Sequence, residues 1–232
     1  MPKAVFFESD GVLVETALED LAAFNTAFQA ANLKTRWDRE LFARIAATPG
    51  TKARLRAYFD RYGWPLTQAG DDALVEKLTD IHKASMLSAA RGGRLALRPG
   101  IKAMIDGAHG AEATLAIVTE MDGDVVTNCL AQLGLSAATK LKFMVCDGTS
   151  EKGKPAPDPY LAALQIAELG AEDAIAVEAS PAGIRAAKEA GVFVIGAGNN
   201  LFPAQRLSGA DKVISDLHSE DGVAALAEAI LA

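Results

Sequence analysis

The sequence has little of what marks several specialised classes of protein. Its 232 residues include only two cysteines, Cys129 and Cys146, which argues against a disulfide scaffold and favours a reducing compartment. Acidic residues outnumber lysine and arginine by 30 to 23, so no basic footprint for nucleic acid is present. No apolar run reaches the length needed to cross a membrane. We therefore expect a cytoplasmic protein with neither a nucleic-acid nor a membrane partner.

What the sequence does have is the composition of a folded globular protein, with 50% hydrophobic and 23% charged residues. The apolar run 4–7 leads directly into Glu8, Ser9, Asp10 and Gly11, which is the pattern of a buried strand followed by two acids. Ligands of open α/β sheets bind beyond the carboxyl ends of the strands. Glu8 and Asp10 are therefore predicted to lie at the floor of a site.

Strand patterns are absent between residues 16 and 91, where four successive stretches have helical spacing. Asp38 precedes the second stretch as a candidate N-cap. This pattern predicts a small helical domain, 16–91, inserted into a core made of 1–15 and 92–232. The paired glycines Gly92 and Gly93 at its exit predict a hinge.

From residue 100 onward, strand and helix patterns alternate to the end of the chain. Predicted strands cover 113–119, 142–146, 174–178, 192–195 and 212–215, and each of the first four is followed by a stretch with helical signals or by a loop leading into one. This alternation predicts a Rossmann-like α/β core, in which a parallel sheet is covered by helices on both faces.

The predicted strand ends bring together side chains suited to phosphate chemistry. Thr119 ends the second core strand, Glu178 ends the fourth, and Lys154 lies in the loop before a helix. A hydroxyl and an ammonium group stabilise phosphate oxygens, while carboxylates bind Mg²⁺ or act as nucleophiles. With Glu8 and Asp10 on the first strand, this set predicts a phosphate and Mg²⁺ site.

These stretches resemble the motifs of the haloacid dehalogenase superfamily, in the branch of phosphatases and phosphomutases that carry a helical cap domain. The resemblance covers nearly the whole chain. It rests on Phe7-Glu8-Ser9-Asp10-Gly11-Val12-Leu13, Ile117-Val118-Thr119, Gly153-Lys154-Pro155-Ala156-Pro157-Asp158-Pro159 and the long run from Val177-Glu178-Ala179-Ser180 to Gly191.

The resemblance implies a role for each matching residue. The catalytic set would be Glu8 as nucleophile, Asp10 as general acid and base, and Thr119 and Lys154 as the groups that hold phosphate. Mg²⁺ would be bound by Glu8, Asp10 and Glu178. Binding of this metal is expected to be weak or absent, because Ala179 stands where the family usually carries a metal-binding aspartate.

The nucleophile position also departs from the family, which has an aspartate where this chain has Glu8. The additional carbon–carbon bond lengthens the side chain by about 1.5 Å, and a misplacement of about 1 Å can slow a reaction roughly 100-fold. We therefore expect weakened phosphomonoesterase activity.

The helical domain resembles the branch that includes sugar bisphosphate phosphatases, through Ala23-Phe24-Asn25 and the segment 50–54. This resemblance implies that Glu15, Lys52 and Arg54, together with Thr119 and Lys154, contact a small phosphorylated metabolite such as a sugar phosphate. The alternative for Lys52 and Arg54 is that they are two solvated cations on a helix.

Three functions remain open from the sequence. The first is slow, Mg²⁺-dependent hydrolysis of a phosphomonoester. The second is a catalytically inactive protein that binds a phosphorylated ligand or partner in a regulatory role, and the third is a dehalogenase-type hydrolysis on the same scaffold. His82, His109 and His218 are predicted to lie far from the strand ends, and the sequence gives no oligomeric state.

Overall fold

The apolar stretch at the start of the chain forms a central strand of a six-stranded sheet. The computed structural model describes residues 2–65, 71–98, 101–110, 112–132, 140–199, 201–215 and 219–231. All neighbouring strands of this sheet are parallel, in the order β5-β4-β1-β6-β7-β8. The strands are β1 (Ala4–Phe7), β4 (Thr114–Val118), β5 (Leu141–Val145), β6 (Ala174–Glu178), β7 (Phe193–Ala197) and β8 (Lys212–Ile214).

Alternate residues of β1 face opposite sides of the sheet, as the pleat of a strand requires. Val5 and Phe7 pack into one hydrophobic cluster, whereas Ala4 and Phe6 pack into the other, and all four are fully buried. Burial on both faces explains why the strand is continuously apolar. The predicted Rossmann-like parallel α/β core is thus confirmed.

Helices cover both faces of the sheet. Residues of α5, α6 and α9 pack into the cluster that contains Phe7, while residues of α7 and α8 pack into the cluster that contains Phe6. Ser180 accepts a hydrogen bond from the amide of Gly183 and caps α8. The helices are α5 (Ile101–Gly110), α6 (Gly123–Gln132), α7 (Asp158–Ala167), α8 (Pro181–Glu189) and α9 (Glu220–Leu231).

Within the described residues, four helices with no strand among them lie between the first and second core strands, and we call them the helical segment. They are α1 (Ala17–Ala30), α2 (Arg39–Ile45), α3 (Thr51–Tyr62) and α4 (Asp71–Arg91). Their shared cluster is aromatic, with Trp37 only 1% exposed and its ring 4.6 Å from that of Phe24. Asp38 caps α2 by accepting from the amide of Leu41 at 2.8 Å. The domain boundaries 16–91, 1–15 and 92–232 stay a prediction.

The two stretches that connect the core to the helical segment lie side by side. β2 (Val14–Glu15) pairs antiparallel with β3 (Ala96–Leu97), and Arg98 forms a 2.7 Å ion pair with Glu15. Strands of two residues have no periodicity, so the sequence did not predict this pair. A hinge at Gly92 and Gly93, which follow α4, stays a prediction.

No helix within the described residues is long and apolar enough to cross a membrane. His218, which the sequence predicts to lie far from the strand ends, is outside the described part of the chain.

Candidate functional site

The carboxyl ends of three adjacent strands form the floor of the site. Phe7 in β1 is in register with Ile117 in β4 and with Val177 in β6. The residues that follow these positions therefore reach the same edge of the sheet, and they include Glu8, Thr119 and Glu178. A cavity of about 130 Å³ opens above this edge and is also lined by residues of the helical segment.

Lys154 lies at the centre of the floor, where its side chain is only 1% exposed. Its ammonium donates to Oε2 of Glu8 at 2.7 Å, to Oε1 of Glu178 at 2.5 Å and to the carbonyl of Val118 at 2.8 Å. Burial lowers the pKa of Lys154, but the charges of Glu178 and Glu8 outweigh burial and raise the pKa well above its ordinary value. Lys154 is therefore a permanent buried cation.

Four donors converge on the carboxylate of Glu8. Its Oε1 accepts from the backbone amide of Ser9 at 2.7 Å, from the amide of Asp10 at 3.2 Å and from the hydroxyl of Thr119. Its Oε2 accepts from Lys154, as described above. Two amides, a hydroxyl and an ammonium around one carboxylate form an anion site at the strand ends.

Glu178 lies next to Lys154 and is held by further hydrogen bonds. Its Oε1 also accepts from the hydroxyl of Tyr160 at 2.6 Å, and its Oε2 accepts from the amide of Ala179 at 3.1 Å. Gly183 on α8 lies so close that a Cβ there would come within 2.0 Å of Oε2 of Glu178. Burial and the charge of Glu8 raise the pKa of Glu178, although Lys154 opposes the shift. The sequence predictions did not include Tyr160.

Asp10 lies beside the anion site, where it accepts a hydrogen bond from the hydroxyl of Thr16. Burial, together with the charges of Asp20 and Glu8, raises the pKa of Asp10 to about 7, against the opposing effects of Thr16 and Arg54. A carboxyl that titrates near pH 7 is suited to give a proton to a leaving group and to take one from water.

The helical segment contributes a buried charge cluster to the cavity wall. Asp20 forms an ion pair with Arg54 at 2.8 Å, and its other carboxylate oxygen is hydrogen-bonded to Nε2 of His82 at 2.6 Å. The Arg54 guanidinium also donates to the carbonyl of Thr48 and lies over the ring of Phe24. Burial raises the pKa of Asp20, but the hydrogen bonds and charges of His82 and Arg54 outweigh it and lower that pKa.

Two sequence expectations about the helical segment need correction. Lys52 does not line the cavity, because it lies on the surface in a 2.7 Å ion pair with Glu76. His82 was expected far from the site, yet it lies on the cavity wall with Asp20. His109 is exposed on α5, as expected for a residue outside the site.

Glu15 and Arg54 both line the cavity, as the sequence predicted for substrate-contacting residues. The acidic side chains Asp20, Glu120 and Asp147 line it as well, and the predicted site residues did not include them. Glu120 directly follows Thr119, and its carboxylate accepts from the backbone amide of Lys154 at 2.9 Å. Its position after a strand end was the signal that could have identified it.

Comparison with known proteins places the fold and these strand ends in one family. Residues 5–197 match the family model described as haloacid dehalogenase-like hydrolase. The chain belongs to this family. The protein CbbY of Cereibacter sphaeroides is 33% identical over 230 residues, which cover 97% of each chain.

Solved structures of this hydrolase family give the same result. The crystal structure of CbbY from Rhodobacter sphaeroides in complex with phosphate has a TM-score of 0.84 and 28% identity, covering 97% of this chain and 100% of that chain. A second structure of that CbbY, a variant in complex with xylulose-(1,5)bisphosphate, also has a TM-score of 0.84 and 28% identity, covering 96% of this chain and 99% of that one. Both are haloacid dehalogenase-like folds that hold a phosphate group.

Hydrolases of this family generally use Mg²⁺, so we compared the oxygen ligands that this chain offers with those that Mg²⁺ needs. Within the described residues, no group of three or more histidine, cysteine, aspartate and glutamate side chains is placed to hold a metal ion. Both oxygens of Glu8 already accept hydrogen bonds, and the carboxylate of Glu178 is bonded to Lys154, Tyr160 and Ala179. Glu8 and Glu178 are thus engaged with Lys154 and its neighbours, and the metal set of Glu8, Asp10 and Glu178 stays a prediction.

The surroundings of Ala179 are also poorly suited to a metal ion. The side-chain amide of Asn199 donates to the carbonyl of Ala179 at 2.8 Å, and it lies near Gly11 as well. A donor group thus faces the place where the family usually has a metal-binding carboxylate. Mg²⁺ requires oxygen ligands in near-octahedral geometry, and the residues present do not fit that requirement.

Proposed function

We propose that this protein is a slow phosphomonoester hydrolase that acts on a small phosphorylated metabolite, with a sugar monophosphate as the preferred class. The anion site carries the proposal. Two backbone amides, the Thr119 hydroxyl and the Lys154 ammonium converge on one position at the floor of the cavity. Preorganised donors of this kind stabilise the oxygens of a transferring phosphoryl group.

The first chemical step uses the two acids of the opening motif. An oxygen of Glu8 attacks phosphorus while the bond from phosphorus to the ester oxygen breaks. The leaving alkoxide takes a proton from the carboxyl group of Asp10, whose pKa of about 7 keeps it partly protonated near neutral pH. Lys154 and the two amides balance the charge that develops on the phosphoryl oxygens.

The second step releases phosphate. Asp10, now a carboxylate, takes a proton from water, and the water oxygen attacks phosphorus as the bond to Glu8 breaks. The products are inorganic phosphate and the original carboxylate of Glu8. Both steps are expected to be slow, because Glu8 is one methylene longer than the family's nucleophile and the residues present do not form a metal site.

The cavity wall favours a ligand with a single phosphate. Of the described residues that line the cavity, the lysines and arginines are Arg54, Lys83 and Lys154, and all three are paired with carboxylates. Glu120 and Asp147 add negative charge to the same wall. A second phosphate would meet no unpaired cation among these residues, in contrast to the bisphosphate held by the CbbY neighbour.

A binding role without turnover is the second candidate. The observation in its favour is that the nucleophile position and the Ala179 position both depart from the family pattern. No contact among the described residues favours the dehalogenase-type alternative, which stays a prediction.

A panel of small sugar monophosphates, sugar bisphosphates and phosphorylated acids tests the proposal, with phosphate release and ligand binding measured on the same samples. We expect slow release of phosphate from at least one monophosphate. The matched control is Lys154→Met, which removes the ammonium from the anion site and should abolish release. Binding without release by the wild-type chain would support the second candidate and contradict hydrolysis.

A further inference from the structure

We propose that the carboxylate of Glu8 is an internal ligand of the anion site, so that a phosphate binds only by displacing it. This inference rests on the proposed function, since it assigns the same anion site to the incoming phosphate. It goes further in stating that the chain blocks its own site in the resting state.

The hydrogen bonds of Glu8 carry the inference. Its carboxylate accepts from Ser9 at 2.7 Å, from Asp10 at 3.2 Å, from Thr119 and from Lys154 at 2.7 Å. These are all the donors described above for the site. Glu8 is buried, so its carboxylate exchanges these bonds for water only by moving. A phosphate that binds at this position needs the same four donors.

Among the described residues that line the cavity, the other lysine and arginine side chains are already paired. Arg54 is bonded to Asp20 and to the carbonyl of Thr48, and Lys83 is bonded to Asp122 and Asp124. Lys154 itself shares its ammonium between Glu8 and Glu178. A phosphate placed beside an unmoved Glu8 would face a carboxylate at close range, which is unfavourable for two anions.

The length of the side chain explains why position 8 controls access. An aspartate is shorter by one carbon–carbon bond, about 1.5 Å. A contact of 2.7 Å to Lys154 would lengthen beyond hydrogen-bond range if the carboxylate withdrew by that amount. Glu8→Asp therefore keeps the negative charge but leaves donors of the anion site open. This variant distinguishes a site that is filled by the Glu8 carboxylate from a site that repels phosphate through negative charge alone.

The experiment is titration calorimetry with inorganic phosphate, in the presence of a metal chelator. The proteins are the wild-type chain, Glu8→Asp, Glu8→Gln and Glu8→Ala, and thermal unfolding shows which of them are folded. If the open site is populated at about 10%, removing the internal ligand tightens apparent phosphate binding about tenfold. We expect this gain in folded Glu8→Asp and Glu8→Ala, and a smaller gain in Glu8→Gln, whose side-chain carbonyl still accepts hydrogen bonds at the site.

The matched control is Glu120→Gln, which removes one negative charge from the cavity wall and leaves the four donor groups in place, because Glu120 accepts from the backbone amide of Lys154 and not from its ammonium. We expect its phosphate affinity to stay within about twofold of the wild type. An equal gain in Glu120→Gln, or no gain in Glu8→Asp beside a gain in Glu8→Gln, would overturn the inference, because charge alone would then explain the binding. Failure of the proposed function is measured separately, as phosphate release in the metabolite panel.

Discussion

Asp20 and Arg54 form a 2.8 Å ion pair on the wall of the cavity, and each side chain is only 12% exposed. The pair joins α1 to α3 in the helical segment, 34 residues apart in the sequence. Asp20 thus neutralises the positive charge that Arg54 brings to the cavity wall.

Asp20→Asn tests this relationship. The neutral amide no longer balances Arg54, so the guanidinium becomes available to a distal phosphate, with a charge-assisted bond worth about 1.5 to 3 kcal/mol. We expect affinity for a sugar bisphosphate to increase about tenfold, whereas affinity for the matching monophosphate changes little. Calorimetry with the two ligands measures this selectivity.

Glu19→Gln is the control for Asp20→Asn, because it removes the same charge from the same helix. Glu19 is paired with Arg94 and does not line the cavity. Its selectivity should equal that of the wild type. Unchanged selectivity in a folded Asp20→Asn variant would show that Arg54 does not face the ligand.

The core strands β1 and β6 could be predicted from sequence because each contains a continuous apolar run. β6 has the predicted bounds, and the placement of Glu8, Thr119 and Glu178 at one edge followed from parallel topology. The Asp20–His82 contact could not be predicted in this way, since it joins helices 62 residues apart whose packing no local pattern specifies. The two-residue strands β2 and β3 were also beyond prediction, because they have no periodicity.

Sequence reasoning was also unable to place Lys52 and Arg54 correctly relative to one another. They are two residues apart on α3, and residues at this spacing face different sides of a helix. Arg54 faces the cavity and Lys52 faces Glu76 at the surface. Which side faces the site depends on how α3 packs, and the sequence alone does not give that packing.

Gly183→Ala tests the close contact between α8 and Glu178. An added Cβ would lie 2.0 Å from Oε2 of Glu178, whose carboxylate is held by Lys154 and Tyr160 and has no freedom to move. We expect the free energy of unfolding to fall by about 1 to 3 kcal/mol, as for overpacked cores. Urea unfolding followed by circular dichroism measures the change.

Gly153→Ala is the matched control, since its Cβ would meet the carboxylate of Glu120 at 2.3 Å. Glu120 has one backbone hydrogen bond, so it can move away at small cost. We expect a much smaller loss of stability than in Gly183→Ala. Equal losses in the two variants would contradict the view that the fixed position of Glu178 causes the clash.

The pH dependence of hydrolysis should report Asp10. Its pKa is raised to about 7, so the protonated carboxyl that the leaving group needs is present below this pH and is lost above it. We expect the rate of the first step to fall about tenfold for each pH unit above the midpoint. Single-turnover kinetics across pH 5 to about 9 measures this limb of the profile.

Asp10→Asn should remove the fall in rate above pH 7 together with nearly all of the activity. If the rate of this variant still falls with rising pH, the group that titrates is not Asp10. The raised pKa of Asp10 should also make the free energy of unfolding depend on pH. The carboxyl is more easily kept protonated in the folded protein, so its contribution to stability is present at low pH and is lost as the pH rises from about 4 to about 7.

Restoring the family's two acids should restore metal-dependent turnover. Glu8→Asp withdraws the nucleophile, and Ala179→Asp adds the missing carboxylate beside it. Because correct placement of a nucleophile is worth about 100-fold, we expect a gain of this order in the double variant with Mg²⁺. Phosphate release with and without the metal measures it.

The two single variants are the controls for this gain. Each repairs one departure only, so each should give a smaller increase than the double variant. A folded double variant with no gain would mean that the pocket has been reshaped for a ligand other than the family's substrates.

The most direct test of the central claim is the rate of phosphomonoester hydrolysis by the wild-type chain as Mg²⁺ is raised from zero to saturation. Typical enzymes turn over at about 10 per second, and we predict a value at least 100-fold lower, roughly 0.1 per second or less, with little response to the metal. Fast hydrolysis that saturates at micromolar Mg²⁺ would contradict the account, because it would require a complete metal site and a well-placed nucleophile at Glu8.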